Sequence, residues 1–247
     1  MAESSDVKEF YERFADDVLL EDFRRFNLRQ DAVRQLCRRF VPRGARVLEV
    51  GCGVGIISKY LASLGCSVVG LDLSENNIRV ATAYAGSGRC EFKVLDVVAG
   101  APELASLGTF DAILLPDVLE HIPKDRYALL FTTLQERLSE SGKILLTFPS
   151  PEYQRHLKAS HPERLQVVDE TVELADITRA ASLRLEYFSS CDVWEKNQYN
   201  HVVLSADREY DPAPIAMAFF ERFRYRVKKR VWRWRNRSFL ARFRRKG

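Results

Sequence analysis

Three observations predict an α/β domain with a doubly wound, mostly parallel sheet. From residue 46 onward, short apolar segments alternate with helical patterns, as they do where helices cover both faces of a parallel sheet. A glycine-rich turn follows the first apolar segment and leads into a helix. Two strand-like segments, 183–188 and 199–205, then stand next to each other in the chain. At 247 residues the chain is long enough for one such domain with a sizeable core.

Residues 1–44 are predicted to form a helical cap before the first strand. Apolar and charged positions alternate at helical spacing over residues 3–40, and Pro42 and Gly44 end the segment. Most of its apolar side chains are expected to pack as an ordinary amphipathic face. Tyr11 and Arg29 are the polar groups that such a cap could bring onto a ligand.

The region 45–206 is predicted to contain the sheet and its helices. Its five parallel strands are expected at 46–50, 67–71, 91–95, 110–115 and 142–148. Helices are expected between them at 55–64, 75–85 and 126–138, the second with Ser74 as its N-cap. Ligands bind at the carboxyl ends of the strands in open α/β sheets, so the polar residues at those ends are the candidate site.

The turn after the first strand has glycine at alternate positions, Gly51, Gly53 and Gly55, with Glu49 two residues before them. Glycine adopts unusual backbone angles and lets a ligand approach the backbone, and the helix that follows supplies a binding N-terminus. The dinucleotide pattern G-x-G-x-x-G would need glycine at position 56, where this chain has isoleucine. A carboxylate at position 49 would repel a pyrophosphate but suits an ammonium or sulfonium group. Taken alone, the turn also fits another nucleotide-binding fold or a purely structural strand–turn–helix.

This stretch resembles motif I, (D/E)-x-G-x-G-x-G, of class I S-adenosylmethionine-dependent methyltransferases. The resemblance extends over about residues 46–205 and includes the sequence D-V-L-E-H-I-P at 117–123. It implies a seven-stranded Rossmann-like methyltransferase fold, whose sixth and seventh strands would be the final pair. It also implies S-adenosylmethionine as the cofactor and S-adenosylhomocysteine as the product.

The resemblance also implies where the cofactor lies. Residues Asp72 and Leu73 follow strand two, where the family places an acid on the ribose hydroxyls. Asp96, after strand three, is where the family's acid meets the adenine amino group, and Val97 would pack on the adenine ring. Backbone carbonyls at Pro116 and Asp117 would hold the methionine ammonium group. Each acid taken alone also fits a solvated loop.

His121 is the candidate general base, because it follows strand four on the side where the methyl group would point, and imidazole has a suitable pKa. The alternative is that Glu120-His121-Ile122-Pro123 only shapes a turn. A further alternative is a divalent metal site, because Asp117, Glu120 and His121 resemble the E-x-x-E-H motif of ubiquinone-pathway and small-RNA 2′-O-methyltransferases. Asp117 is one methylene shorter than the usual glutamate, and a metal is not the favoured reading.

A polar segment at 149–166 is predicted to form the lid of the acceptor pocket, since loops at this position often carry specificity. Residues flanking the last strand turn could complete that pocket. The candidate acceptor-binding residues are Tyr11, Tyr153, His156, His161, Trp194, Tyr199 and His201. Their polarity favours a hydroxyl-rich or anionic acceptor over a flat apolar one. A solvated-loop role remains the alternative for each.

The net charge of +4 conceals a basic C-terminal segment. Residues 221–247 contain thirteen Lys or Arg and one acid, whereas the other 220 residues contain 25 basic and 33 acidic side chains. In a helix over the extension 207–247, aromatic and apolar residues would share one stripe beside basic ones, as in segments that lie on membrane surfaces. Binding to RNA and packing on another subunit are the alternatives.

The composition predicts a cytoplasmic protein, and the basic extension allows a peripheral position on the inner face of the membrane. Five scattered cysteines without C-x-x-C spacing indicate reduced thiols, and the first six residues lack the pattern of a secretory signal. No run of 18 apolar residues predicts a membrane span. The expected activity is O-methylation of a polar acceptor, such as a sugar hydroxyl of a lipid-linked or surface glycan. RNA 2′-O-methylation and a non-catalytic regulatory protein with the same fold are the alternatives.

Overall fold

The computed structural model describes residues 27–86, 88–99, 101–166 and 168–207. Seven strands form there, β1 to β7, at Arg46–Val50, Ser67–Asp72, Cys90–Val94, Phe110–Pro116, Leu138–Pro149, Arg184–Cys191 and Tyr199–Ser205. The α-helices α1 to α7 are Leu28–Phe40, Ile56–Ser63, Glu75–Ala85, Ala101–Ser106, Tyr127–Gln135, Pro151–Ser160 and Leu174–Ala180. Three short 3₁₀ helices span Leu119–His121, Lys124–Arg126 and Pro162–Arg164.

The seven strands form one sheet in the order β3-β2-β1-β4-β5-β7-β6. The first five strands are parallel, while β7 is antiparallel to both β5 and β6. The order reverses between β1 and β4, so the carboxyl ends of these two strands border a crevice where ligands bind in such sheets. This topology confirms the predicted doubly wound, mostly parallel fold with a reversed final pair.

Helices cover both faces of the sheet because the side chains of each strand alternate between two cores. Leu48 of β1 packs in one core with Phe131 and Leu134 of α5. Val47, its neighbour, packs in the other core with Leu36 of α1 and Leu61 of α2. Since α1 is part of this second core, it is a structural layer of the domain and not only a cover over the ligand site.

Several predicted boundaries shift in the structure. Helix α3 and strand β7 have the predicted bounds, but α5 ends at Gln135, and β5 begins at Leu138, where a helix was predicted to end. The predicted polar lid contains helix α6, whose N-cap Ser150 accepts a hydrogen bond from the Tyr153 N–H at 3.2 Å. A Ser-Pro pair before a helical pattern is a start signal that the sequence analysis did not use.

Residues 1–26 and 208–247 lie outside the described part of the chain. Tyr11, most of the predicted cap and the basic extension are therefore still predictions, as are the domain limits at 44 and 206. Within the described residues, no helix combines the length and the apolar content needed to cross a bilayer. All five cysteines are free thiols.

One acid is part of the buried sheet. Glu49 of β1 is 2% exposed, and one of its carboxylate oxygens accepts a hydrogen bond from the hydroxyl of Ser58 on α2. Burial, followed by the negative charge of Asp72, raises the pKa of Glu49 to about 8, while the Ser58 hydrogen bond opposes the shift. The sequence analysis expected a negatively charged group facing the ligand. The structure instead places a buried acid under the turn, in an environment that favours its uncharged form.

Replacing Phe131 by alanine should lower the free energy of unfolding by about 3–5 kcal/mol, because this fully buried ring of α5 would leave a cavity. Phe188 of β6, which is 43% exposed, is the matched control, and its replacement by alanine should have a much smaller effect. Denaturant unfolding of both variants measures the difference. Equal losses would mean that the core is not organised around α5.

Stability should fall as the pH rises from about 5 to 8, by up to about 1.4 kcal/mol per pH unit from Glu49 alone. In this window the folded state keeps a proton on Glu49 (pKa about 8) that the unfolded chain (pKa near 4.5) has lost. Glu49→Gln should remove this component, whereas Glu103→Gln on the exposed surface of α4 should retain it. Unfolding curves at several pH values make the comparison, and identical pH dependences in both variants would contradict the assignment.

Candidate active site

The glycine turn after β1 needs glycine at each of its three positions for conformational reasons. The φ angles of Gly51, Gly53 and Gly55 are 68°, 49° and 78°, in the region that residues with a Cβ rarely adopt. A Cβ on Gly51 would also clash with the side chain of Val118 after β4. A Cβ on Gly53 would meet no atom within 4 Å, so the backbone there is open to a closely approaching ligand.

Asp72 connects the end of β2 to this turn. One of its carboxylate oxygens accepts the Gly53 N–H at 2.8 Å. The other accepts the Ser74 N–H at 2.9 Å and the side-chain amide of Asn77 at 3.1 Å. Asp72 and Leu73 are partly exposed, so the carboxylate lies beside the open turn, where the family resemblance expects the ribose acid.

The two residues predicted to bind adenine occupy different environments. The Asp96 carboxylate accepts the backbone N–H groups of Val98 and Ala99 at 2.8 and 3.2 Å, which fixes the loop after β3. Val97 is only 7% exposed and packs in the same core as α5. Asp96 is therefore held at a strand end near the site, while Val97 contributes mainly to the core.

An ion pair links α1 to the carboxyl end of β4. The Arg29 Nε lies 3.0 Å from a carboxylate oxygen of Asp117, and a terminal nitrogen of Arg29 donates to the Tyr199 hydroxyl at 3.4 Å. The second oxygen of Asp117 accepts a hydrogen bond from the Thr147 hydroxyl at 3.1 Å. Asp117 has a φ of 55°, while Pro116 before it is partly exposed as the last residue of β4. Arg29, suggested by the sequence as part of a cap, is thus fixed at the strand ends.

Glu120 and His121 lie on the 3₁₀ turn that follows. Glu120 is 2% exposed, and its pKa is raised well above the ordinary range by burial and then by the charge of Asp117. His121 Nδ1 lies 2.9 Å from the carbonyl oxygen of Val168. Burial lowers the pKa of His121, although its bond to Val168 and the charges of nearby acids oppose this. The imidazole is therefore held neutral and in a fixed orientation.

The alternative metal site is not assembled. In the described ranges no group of three or more His, Cys, Asp or Glu side chains could hold a metal ion. Asp117 instead bonds to Arg29 and Thr147, and His121 to the Val168 carbonyl. Two of the three donors of D-x-x-E-H are thus engaged by other groups, and no step of the reaction is assigned to a metal.

Strand β7 contributes two of the predicted acceptor residues to this end of the sheet. Tyr199 and His201 pair with Pro149 and Thr147 of β5, and both are less than 9% exposed. His201 Nε2 lies 3.4 Å from the Cys191 sulfur, and burial lowers the pKa of His201 to about 4. Burial also raises the pKa of Tyr199, so both groups are uncharged at neutral pH. The sequence analysis did not select Cys191 or Thr147, which become neighbours only through strand pairing.

The other predicted acceptor residues are more peripheral. Tyr153 is half-buried on α6, and the rings of His156 and His161 meet edge to face with centroids 5.9 Å apart. His161 Nδ1 also lies 3.3 Å from a carboxylate oxygen of Glu163. Trp194 is 59% exposed. None of these four has a described contact with Asp117 or His121, so their role in acceptor binding is still a prediction.

The sequence matches the model of a family described as "Methyltransferase domain" over residues 23–202, nearly three quarters of the chain. Among curated relatives, a ubiquinone biosynthesis O-methyltransferase of Xanthomonas axonopodis pv. citri is 38% identical over 111 residues, 44% of this chain and 45% of that protein. The corresponding enzyme of Mesorhizobium japonicum is 44% identical over 81 residues, 32% of this chain and 31% of that protein. The chain thus spans less than half the length of these relatives.

Solved structures share the fold over a larger part of the chain. A magnesium protoporphyrin IX methyltransferase from Synechocystis with bound SAH has a TM-score of 0.62 and 19% identity, covering 82% of this chain and 99% of its own. A SAM-dependent methyltransferase from Anabaena variabilis has a TM-score of 0.62 and 16% identity, covering 81% and 94%. The family match, the strand order and the glycine turn agree: this chain belongs to the class I S-adenosylmethionine-dependent methyltransferases.

Proposed function

We propose that this protein transfers a methyl group from S-adenosylmethionine to a hydroxyl oxygen of a small acceptor. The observation that carries the proposal is the geometry at the strand ends. The open turn at Gly53 and the Asp72 carboxylate border one side of the crevice between β1 and β4, and Asp117 with His121 follows β4 on the other. Open α/β sheets bind their ligands in this crevice.

Asp72 is suited to the ribose of the cofactor. Each oxygen of a carboxylate can accept more than one hydrogen bond, so the oxygen that accepts the Gly53 N–H is chemically able to accept a hydroxyl as well. Its second oxygen is oriented by Ser74 and Asn77, so the group is held before the ligand arrives. The backbone of the glycine turn lies beside it, with space above Gly53 for close approach.

The ion pair of Arg29 and Asp117 is suited to the amino-acid end of the cofactor. That end carries one carboxylate and one ammonium group, which complement a guanidinium and a carboxylate. Thr147 and Tyr199 hold the two side chains in place through hydrogen bonds at 3.1 and 3.4 Å. Arg29 would bind the carboxylate, while Asp117 and the carbonyl of Pro116 would bind the ammonium group.

His121 is suited to accept the proton that the acceptor's hydroxyl loses when it is methylated. The bound sulfonium supplies an activated methyl group and a good leaving group, so the protein has mainly to orient the acceptor and remove a proton. A carbonyl oxygen can only accept a hydrogen bond, so the bond to Val168 requires the proton on Nδ1 of the neutral ring. The lone pair is then on Nε2, and the lowered pKa favours the form of the ring in which Nε2 carries no proton.

The names of the curated relatives support oxygen as the methylated atom, because they are O-methyltransferases of ubiquinone biosynthesis. They give no support to the glycan acceptor that the sequence analysis preferred, or to RNA. Catechol, methyl α-glucopyranoside and a short RNA can be tested as acceptors with radiolabelled cofactor. We expect transfer to the phenolic hydroxyl, and transfer only to the sugar or the RNA would favour one of the earlier alternatives.

Replacing Asp72 by alanine should weaken S-adenosylhomocysteine binding at least tenfold, because the carboxylate that orients the glycine turn and meets the ribose is lost. Tenfold corresponds to about 1.4 kcal/mol. Glu103→Ala on α4 is the control and should bind as the intact protein does. Isothermal titration measures the three dissociation constants. Absence of binding by the intact protein would contradict the proposed function itself.

Replacing His121 by asparagine should lower kcat about 10²–10⁴-fold, the usual contribution of a general base. The asparagine amide can still donate to the Val168 carbonyl, so binding of S-adenosylhomocysteine should be unchanged. In the intact enzyme, the acid limb of the pH–rate profile should lie below the ordinary histidine value of 6.5. Full activity in the asparagine variant would show that His121 only shapes the turn.

A further inference from the structure

Among the residues that the structure describes, one buried oxygen at the active site has no hydrogen-bond partner, and the reaction described so far gives it no part. It is Oε2 of Glu120, whose side chain is 2% exposed. The carboxylate does accept a hydrogen bond from the residue's own backbone N–H. Buried polar atoms in folded proteins are almost always hydrogen-bonded, so this exception points to a partner that the described residues do not supply.

The polar groups around Glu120 are engaged elsewhere. Arg29 bonds to Asp117 and to the hydroxyl of Tyr199. The hydroxyl of Tyr127 donates to the Leu119 carbonyl at 2.9 Å. Burial is the main cause that raises the pKa values of both tyrosines, and both lie close enough to Glu120 for its charge to contribute. Donors are thus near the carboxylate, but their described bonds run to other atoms.

The segment at 168–170 covers the turn that carries Glu120. The Glu170 N–H donates to the Glu120 carbonyl at 2.7 Å, and the Val168 carbonyl bonds to His121. Asp169 between them is held by the Gln154 side chain and by the Gln166 N–H. Glu120 therefore lies between the carboxyl end of β4 and a segment that directly follows the predicted acceptor lid at 149–166.

We propose that Oε2 of Glu120 forms a hydrogen bond with the methyl acceptor. Its partner is a neutral polar group of the acceptor other than the hydroxyl that is methylated. The inference rests on the proposed function, because it assumes that the acceptor enters beside His121. The proposed hydrogen bond makes Glu120 a specificity-determining residue. Acceptors with a second hydroxyl would bind more tightly than those with one, because only the former provide a partner for the buried oxygen.

Two substitutions separate this role from a structural one. Glu120→Met keeps the length of the side chain but removes both oxygens, and Glu120→Gln keeps polar atoms at the same place. The methionine variant should melt ~2–4 °C higher than the intact protein, because an unsatisfied buried oxygen is replaced by an apolar group. Glu136→Gln, on the exposed surface after α5, is the control for a surface glutamate and should leave the melting temperature unchanged.

Acceptor binding is measured with catechol and phenol, each titrated into the protein saturated with S-adenosylhomocysteine. We expect Glu120→Met to weaken catechol binding about tenfold and phenol binding little, while Glu120→Gln stays within about threefold of the intact protein. Methyl α-glucopyranoside in a parallel titration distinguishes a sugar acceptor from a phenolic one. The affinity for S-adenosylhomocysteine should be the same in all variants.

A lower melting temperature in Glu120→Met would show that Oε2 has a partner within the protein and would overturn the proposal. Equal binding of catechol to the intact and methionine proteins, or binding of neither catechol nor the glucoside by the intact protein, would also overturn it. If the intact protein binds catechol through Glu120 but transfers no methyl group, the proposed function fails while the binding role of Glu120 stands.

Discussion

The hydrogen bond between the Gly53 N–H and the Asp72 carboxylate joins the two strand ends on which the site depends. Gly53 is in a turn that requires positive φ angles, and Asp72 is the last residue of β2. The bond holds the turn in its open conformation before any ligand is present. The turn then sets the start of α2, and the Ser58 hydroxyl on that helix donates a hydrogen bond to the buried Glu49 of β1. The position of each acid in this region therefore depends on the shape of the glycine turn.

The other side of the crevice is organised by charge rather than by backbone conformation. Asp117, Glu120 and Asp169 lie close together at the end of β4, and the positive charge of Arg29 acts on Glu120. Burying several acids with one guanidinium is unfavourable unless they are hydrogen-bonded or protonated. Asp117 has both an ion pair and a hydrogen bond, whereas burial pushes Glu120 toward its neutral form. An ion-paired acid and a buried acid therefore lie beside His121.

The curated relatives and the structural neighbours inform different parts of this picture. Similarity to the O-methyltransferases covers less than half of their length, so it bears on the methyltransferase domain and leaves the acceptor to experiment. The neighbours extend over about four fifths of the chain, but at less than 20% identity they show the fold alone. The proposed acceptor side consists of β7, α6 and the 168–170 segment, and its chemistry has to be derived from this chain's own residues.

The sequence by itself determined the sheet, the glycine turn and the acids at the strand ends, because these features depend on local signals. Periodicity distinguishes strand from helix, and the spacing of glycines identifies the turn. Asp72 and Asp117 were found in this way, and so was His121. Local signals gave wrong boundaries at residues 136–141. The helix was predicted to continue to 138 and the strand to begin at 142, whereas α5 ends at Gln135 and β5 begins at Leu138.

Only the tertiary structure decided which of these groups are charged and which of them meet. Arg29 and Asp117 are 88 residues apart in the chain and Glu120 and Glu170 are 50 apart, so no spacing rule could pair them. Burial, which changes the protonation of Glu49 and Glu120, exists only after the helices have packed on the sheet. The pattern of residues therefore identified the candidate site, while packing and long-range contacts determined the environment of its groups, because desolvation and ion pairing are properties of the folded chain.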